Sequence, residues 1–368
     1  MHQVVILGAG MAGMACARTL LRRGCRPLLV APSQDTPNRG ETLSFRASPH
    51  LERLGWLGLL DAETAIACQG RYSIWGSATL RRDSFHQERE SGWHIDRQQL
   101  ESRMAKALDA DDVARHYAKA RRLSQRPAHV VVDLADGSSI EAAFVVDCSG
   151  RAAVTADGAT PMRRLGKLVA CYGIFELEQG VEAMPATLVE AVEAGWWYMS
   201  MMPGNRILLC FFTDSDLLPA GLRNDAILWA DMVSHTHAIS ARVASLGIDP
   251  AACPQLQFAP ASTTTMSKLI DHRIVRAGDA ASALDPLGAN GLATALWSGI
   301  RAAETVAGAL VRDNTASRHY ERQFLEGIAS YLITQRAIYA SERRFPGAPF
   351  WQRRNDAPLQ NIASPAGA

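Results

Sequence analysis

Lysine is nearly absent from this chain. Only Lys106, Lys119, Lys167 and Lys268 occur in 368 residues, none before position 106, and arginine carries the rest of the positive charge. Basic and acidic side chains balance to a formal net charge of +1, so no field of one sign draws the chain to nucleic acid or to an anionic membrane surface. The cysteines (Cys16, Cys25, Cys68, Cys148, Cys171, Cys210, Cys253) are odd in number and never spaced as Cys-x-x-Cys. That spacing excludes a disulfide framework, a zinc site and an iron–sulfur cluster, and no metal is expected. No uninterrupted apolar run reaches the ~18 residues a bilayer span needs. The N-terminus opens on a strand-like run with no basic, apolar leader, which points to the cytoplasm. There is no internal repeat.

What is present is a core-forming composition, 48% apolar and 20% charged, in a chain long enough for two domains. Val4-Val5-Ile6-Leu7 ends a buried strand over 2–7, and a helix over 11–24 follows, closed by Gly24. Leu28-Leu29-Val30 is a second short strand, so the chain opens as half of a doubly wound sheet. Ser48-Pro49 starts a helix predicted over 49–60. His94-Ile95-Asp96-Arg97 introduces another through 108, with Leu100, Met104, Ala107 and Leu108 on one face. Val130–Leu134 and Phe144–Asp147 flank Asp136-Gly137 as a hairpin feeding a further strand. Segments 168–177, 186–192, 195–201 and 206–213 read as an inserted antiparallel sheet, and 225–246 as a helix. A strand over 273–277 and helices over 290–311 and 317–340 follow, and the tail from Pro346 reads as irregular.

Between the first strand and helix lies Gly8-Ala9-Gly10-Met11-Ala12-Gly13. The first glycine allows a tight turn, the second admits a pyrophosphate to the backbone, and the third lets helix and strand pack closely. A second polar-ligand site is built far downstream, by Gly278-Asp279 and Asp285-Pro286-Leu287-Gly288-Ala289-Asn290-Gly291. An aspartate at a strand end accepts hydrogen bonds from ribityl hydroxyls, and the helix start near Asn290-Gly291 aims N–H groups at a flavin edge. The pairing of the two motifs points to FAD, held by Gly8, Gly10, Met11, Ala12 and Gly13 and by Asp279, Gly288, Ala289, Asn290, Gly291 and Leu292. The acid that normally closes the second strand over the adenosine ribose is missing: Ala31 stands there, followed by Pro32, with Ser33, Gln34 and Asp35 as alternatives.

Gly8–Gly13, Asp147-Cys148-Ser149-Gly150-Arg151, Gly278-Asp279 and Asp285–Gly291 together resemble the FAD-dependent monooxygenases of the aromatic-hydroxylase fold. Arg39-Gly40-Glu41-Thr42-Leu43, Trp75-Gly76-Ser77, Gly92-Trp93-His94-Ile95-Asp96-Arg97 and Gly195-Trp196-Trp197-Tyr198 are more specific. They resemble the flavoproteins that mature cysteine-tryptophylquinone enzymes, relatives of the flavin-dependent tryptophan halogenases. The resemblance covers about residues 1–310. It implies an α/β fold with an inserted antiparallel-sheet substrate domain. The FAD domain is then 1–70, 93–165 and 256–315, the sheet domain 71–92 and 166–255, and the C-terminal helix and tail 316–368. It further implies that Arg39, Gly40, Glu41, Thr42 and Arg97 lie along the FAD.

Two departures stand out. Ala289 replaces the first glycine of the family's Asp-Pro-x-x-Gly-x-Gly, where a methyl fits provided φ is negative. Asp147-Cys148-Ser149-Gly150 stands where hydroxylases that use NAD(P)H carry Asp-Gly, which points to flavin reduced by a separate reductase. Trp75, Trp196 and Tyr198 are candidates to line a substrate cavity, with strand alternation sending Trp197 to the other face.

The implied activity is a monooxygenase acting through a flavin C4a-hydroperoxide on an aromatic substrate, a tryptophan in a partner polypeptide during quinone-cofactor formation. An electron-rich indole needs no strong base, and Glu41 and Asp285, with His50 and His94, are the nearest candidates for one. Three alternatives share the scaffold: a halogenase, a reductase of isoprenoid double bonds, and a flavin-binding escort without catalysis. The halogenase reading meets two obstacles. No lysine precedes position 106, and Trp196-Trp197-Tyr198-Met199-Ser200-Met201-Met202-Pro203 replaces the Trp-x-Trp-x-Ile-Pro signature.

Overall fold

The computed structural model describes residues 1–33, 40–82, 92–253 and 255–355. Chain contacts divide it into one unit of Met1–Ile66, Gly92–Leu165 and Ser262–Gln323, and a second of Ala67–Ser91, Gly166–Ala261 and Phe324–Ala368.

The first unit is an α/β layer built on an eight-stranded sheet. In chain order its elements are β1 (His2–Leu7), α1 (Met11–Arg22), β2 (Leu28–Ala31), β3 (Gly40–Leu43) and β4 (Trp93–Asp96). They continue with α2 (Arg97–Asp109), β5 (Ala114–Tyr117), β6 (Ser139–Asp147), β7 (Ile274–Arg276) and α3 (Gly291–Leu310). The main path of the sheet runs Ile270–Asp271, β7, β6, β1, β2, β5, and every neighbour from β7 to β5 is parallel. Val4–Leu7 of β1 are buried on both faces, as a central parallel strand requires. Register aligns Leu7 with Val30 and Asp147, and Asp147 with Arg276. The chain therefore leaves β1, β2, β6 and β7 at one sheet edge, where ligands of doubly wound folds bind. Val5, Leu7, Val30, Val130, Val132, Val145 and Ile274 belong to the core on one face.

Local signals explain where the helices begin and end. Asp96 starts α2 by accepting the Gln99 N–H at 3.0 Å on its side chain. The helix predicted over 49–60 is shorter, Ser48–Leu54, because Gly55 takes a left-handed conformation and the Trp56 N–H turns back to Leu51 O.

The second unit carries a seven-stranded sheet ordered Gln257–Pro260, Leu168–Glu176, Arg206–Asp214, Gly195–Met202, Ala186–Val192, Gly70–Ile74, Arg81–Arg82. It is antiparallel except where Ala186–Val192 runs parallel to Gly70–Ile74. The helix predicted over 225–246 is two helices, Ala226–Ser234 and Ala238–Ser245. The break is set by the buried Glu190 carboxylate, which accepts the N–H groups of His237, Ala238 and Ile239 at 2.5, 2.8 and 2.9 Å and caps a new helix start.

The described part of the C-terminal tail departs from its irregular reading, and residues 356–368 lie outside the described residues. After the helix Thr315–Ser341 the chain forms another, Pro349–Asn355, whose Phe350 and Trp351 are fully buried. The Trp351 indole N–H donates to Val192 O at 2.9 Å, and Arg353 and Arg354 pair with Asp214 at 2.9 and 2.8 Å. Two buried aromatics outweigh a local abundance of proline, alanine and asparagine. No helix among the described residues is long and apolar enough to cross a membrane.

Candidate functional site

The site lies where β1, β6 and β7 end. Gly8 has φ 107, and a Cβ there would stand 2.2 Å from Cys148 O, so only glycine permits this turn beside the end of β6. Gly13 is equally constrained: its Cβ would reach Gly8 O at 1.9 Å, so the glycine lets α1 press onto the turn. Gly10 differs. Among the described residues a Cβ there would meet nothing nearer than Glu101 Oε1 at 3.8 Å, so none of these neighbours demands glycine. An unfilled approach to backbone at a helix N-terminus is the cradle a pyrophosphate uses. α1 begins with no side-chain cap and no acidic residue in its first turn.

The downstream motif is brought to the same place. A Cβ on Gly278 (φ 60) would lie 2.8 Å from the Ala12 Cβ of α1 and 3.9 Å from that of Ala295 in α3. The Gly278 N–H donates to Ser298 Oγ at 2.8 Å. Asp285, expected as a possible base, instead accepts the Leu287 N–H at 2.9 Å and is buried, fixing the turn Pro286–Gly288. That turn closes through the Ala289 N–H to Pro286 O at 2.9 Å, and Ala289 sits at φ 49, ψ 27. The negative φ under which its methyl would fit comfortably is not adopted. The turn geometry demands the left-handed region, which is why glycine suits this place. Asn290 then begins α3, which like α1 has neither side-chain cap nor acidic first turn, and Gly291 and Leu292 form that turn.

Charge is held around the glycine turn by a buried-edge cluster. Thr42 and Glu41 lie on β3, paired with His94 and Ile95 of β4, and Gly40 pairs with Asp96. Arg97, the first residue of α2, donates to Glu41 at 2.6 Å and to Glu101 at 3.0 Å. The Glu41 charge, with Glu101 behind it and against the pull of desolvation, keeps the guanidinium firmly protonated. Glu41 is thereby engaged as an ion-pair partner rather than standing as a base. Arg39 lies outside the described residues, as do Gln34 and Asp35. Ser33 is exposed beyond the buried Ala31.

Two further groups escaped the sequence reading. Arg151, in the turn after β6, places Nε 3.7 Å from Asp279 and donates to Ser262 O at 2.7 Å, so the expected ribityl acceptor has a cationic neighbour. Below it, Asp147 accepts the Ser149 N–H at 2.9 Å and the Thr155 N–H and hydroxyl at 3.0 and 2.6 Å. Arg276 in turn donates Nε to the Thr155 hydroxyl at 2.8 Å. The network pins the strand ends that present the site. Its signal in the sequence was Asp147 alone, since Thr155 stands in no motif and Arg276 is distant along the chain.

The second unit corrects the substrate candidates. Trp75 and Trp196 are buried within an aromatic cluster with Tyr339, Phe212 and Trp351. The Trp75 indole N–H donates to Ile338 O at 2.9 Å and that of Trp196 to the Tyr339 hydroxyl at 3.2 Å. Both are core residues, because the helix Thr315–Ser341 and the helix Pro349–Asn355, the latter not expected from the sequence, supply packing partners. Alternation holds as expected: Trp197 turns to the opposite face, against Phe211 and Trp229. Tyr198 is half-buried on the Trp196 face.

Residues 58–364 match the tryptophan halogenase family. The chain is 24% identical over 369 residues to a Marinomonas mediterranea protein assigned as the FAD-dependent oxidoreductase LodB, covering 96% of this chain and 97% of that one. Among solved structures, the peptidyl tryptophan dihydroxylase QhpG, essential for tryptophylquinone cofactor biogenesis, superimposes with a TM-score of 0.78 at 23% identity. That match covers 96% of this chain and 78% of QhpG. The flavin-dependent halogenase CmlS gives a TM-score of 0.82 at 18% identity, covering 98% of this chain and 68% of CmlS. With a family match over most of its length and a glycine cradle that fits a dinucleotide, the chain belongs to the tryptophan halogenase family and is a FAD-dependent oxidoreductase.

Proposed function

We propose that this protein is a monooxygenase that oxidises the indole of a tryptophan carried by a partner polypeptide, during formation of a quinone cofactor. Within a halogenase family, the observation that carries this reading over halogenation is the absence of lysine from the first 105 residues, where a halogenase needs an amine to carry or orient hypohalous acid. Similarity to LodB over nearly the full length of both chains, and to the fold of QhpG, supports it.

Bound FAD supplies the redox chemistry, activating O₂ once reduced. The chain's own residues bind and orient. The Gly8–Gly13 turn and the start of α1 take the pyrophosphate, and the start of α3 at Asn290–Leu292 takes the flavin edge. Arg97, fixed between Glu41 and Glu101, sets the local charge. Asp147-Cys148-Ser149-Gly150 in place of Asp-Gly supports supply of electrons by a separate reductase.

The family match and the halogenase folds favour halogenation as the second reading, and one assay separates the two. The FAD-loaded protein is incubated with a reductant, O₂ and a tryptophan-bearing polypeptide, with and without bromide, and the product is read by mass. Gain of oxygen on tryptophan, independent of bromide, is expected. Bromide-dependent gain of bromine, or no mass gain with any reductant, refutes the proposal.

A further inference from the structure

The adenosine end of the cofactor site lacks the acid that closes β2 in dinucleotide-binding folds, since Ala31 occupies that position. The strand beside it offers a different group. β5 is the edge strand of the sheet and runs parallel to β2, with Ala31 in register with Tyr117, the last residue of β5. Residues in register on neighbouring strands share a face, with backbones about 4.8 Å apart. The Tyr117 side chain therefore stands next to the Ala31 methyl, at the same carboxyl edge from which the Gly8 turn leaves β1.

Its neighbours are turned elsewhere. His116 pairs through Nε2 with Asp136 Oδ2 at 3.0 Å, and Ala118 is buried in the core beneath the sheet. Tyr117 itself is 70% exposed, against 38% for Phe45, the other large aromatic exposed among the described residues. An open aromatic face beside a strand end that carries Ala31 in place of an acid is suited to a purine base. Every base has a π-face, and stacking needs no acid.

We propose that Tyr117 recognises the adenine of FAD by stacking, and that this contact takes over the anchoring that an acid at Ala31 would provide. The assignment rests on FAD occupying the Gly8–Gly13 turn. Ring stacking carries the contact, so the phenol hydroxyl is dispensable.

The test measures binding to the flavin-free protein by calorimetry or fluorescence, with FAD, ADP and FMN as probes. Wild type is compared with Tyr117→Ala, Tyr117→Phe and Gly10→Ala. Tyr117→Ala is expected to weaken FAD and ADP alike by about 5- to 30-fold and leave FMN unchanged, with Tyr117→Phe within about two-fold of wild type. The side chain is exposed, so thermal unfolding of the flavin-free variants should match wild type. Undiminished FAD and ADP binding by Tyr117→Ala, while Gly10→Ala weakens both, overturns the proposal. So does a loss in Tyr117→Phe as large as in Tyr117→Ala. If Gly10→Ala also binds FAD as wild type does, the placement of FAD on the glycine turn is what has failed.

Discussion

Replacing Ala289 by glycine should stabilise this protein, although it removes a methyl group and loosens the unfolded chain. Ala289 is held at φ 49, ψ 27 by the turn that Asp285 and Pro286 begin. An L-residue in that region costs about 1–2 kcal/mol from the Cβ against its own backbone. Glycine removes this cost but adds about 0.4–1 kcal/mol of unfolded-state entropy. At mid-range the difference is a net gain of about 0.8 kcal/mol, or about 2–3 °C in Tm for a unit of about 200 residues. A control exists in the same unit. Ala153 closes the turn Gly150–Ala152 at φ 42, ψ 57. Differential scanning calorimetry of Ala289→Gly and Ala153→Gly, each with and without saturating FAD, should show comparable rises. Because the strain belongs to the turn itself, the gain at Ala289 should be the same in both states. A fall in Tm for Ala289→Gly while Ala153→Gly rises would refute the reasoning.

Gly8→Ala and Gly10→Ala should part company. The first drives a Cβ to 2.2 Å from Cys148 O at a φ alanine avoids, and should abolish soluble expression or cost several degrees of Tm. The second should leave the flavin-free Tm within about a degree while weakening FAD, read by equilibrium dialysis. Thr155→Val strips the Asp147 carboxylate of one donor and the Arg276 Nε of its acceptor, and should cost about 2–4 kcal/mol by urea unfolding, whereas Thr155→Ser should cost less than about 1 kcal/mol. The pKa of His50 is depressed, by burial first and then by the Arg301 and Arg53 charges. Below about pH 6.5 the unfolded chain therefore binds this proton more readily than the folded one, so stability is full above that pH and falls as pH drops below it. His50→Gln should flatten that part of the stability–pH curve.

The nucleotide fold was legible because its causes are local. Val4–Leu7, the glycine turn and Gly24 follow one another directly, so strand, turn and helix can be read in order, although the neighbour that requires Gly8 is Cys148, far along the chain. The same holds for Asp96, whose cap lies three residues along. What escaped depends on partners far away in sequence. Glu190 breaks the helix near His237 from a strand of the neighbouring sheet, and no periodicity in 225–246 records it. Trp75 and Trp196 carry family-like motifs that suggested a binding surface, yet their indoles are satisfied by Ile338 and Tyr339, at least 143 residues further along the chain. Ala289 was legible as an anomaly but not as strain, because a sequence does not state φ.

The carboxylates near the cofactor motifs bear on the chemistry proposed. Glu41 is engaged by Arg97, Asp285 by the Leu287 N–H, and Asp279 faces Arg151. Each has its oxygens engaged by a donor or a cation, so it is held in structure rather than presented to take a proton from a substrate. A phenol hydroxylase, which must take a proton from its substrate, would be poorly served by such an arrangement. An indole is already electron-rich at carbon and reacts with an electrophilic oxygen without prior deprotonation. Among the described residues these three acids are committed to holding turns and cations, which better matches indole oxidation, where the protein contributes by orienting the ring and keeping water out.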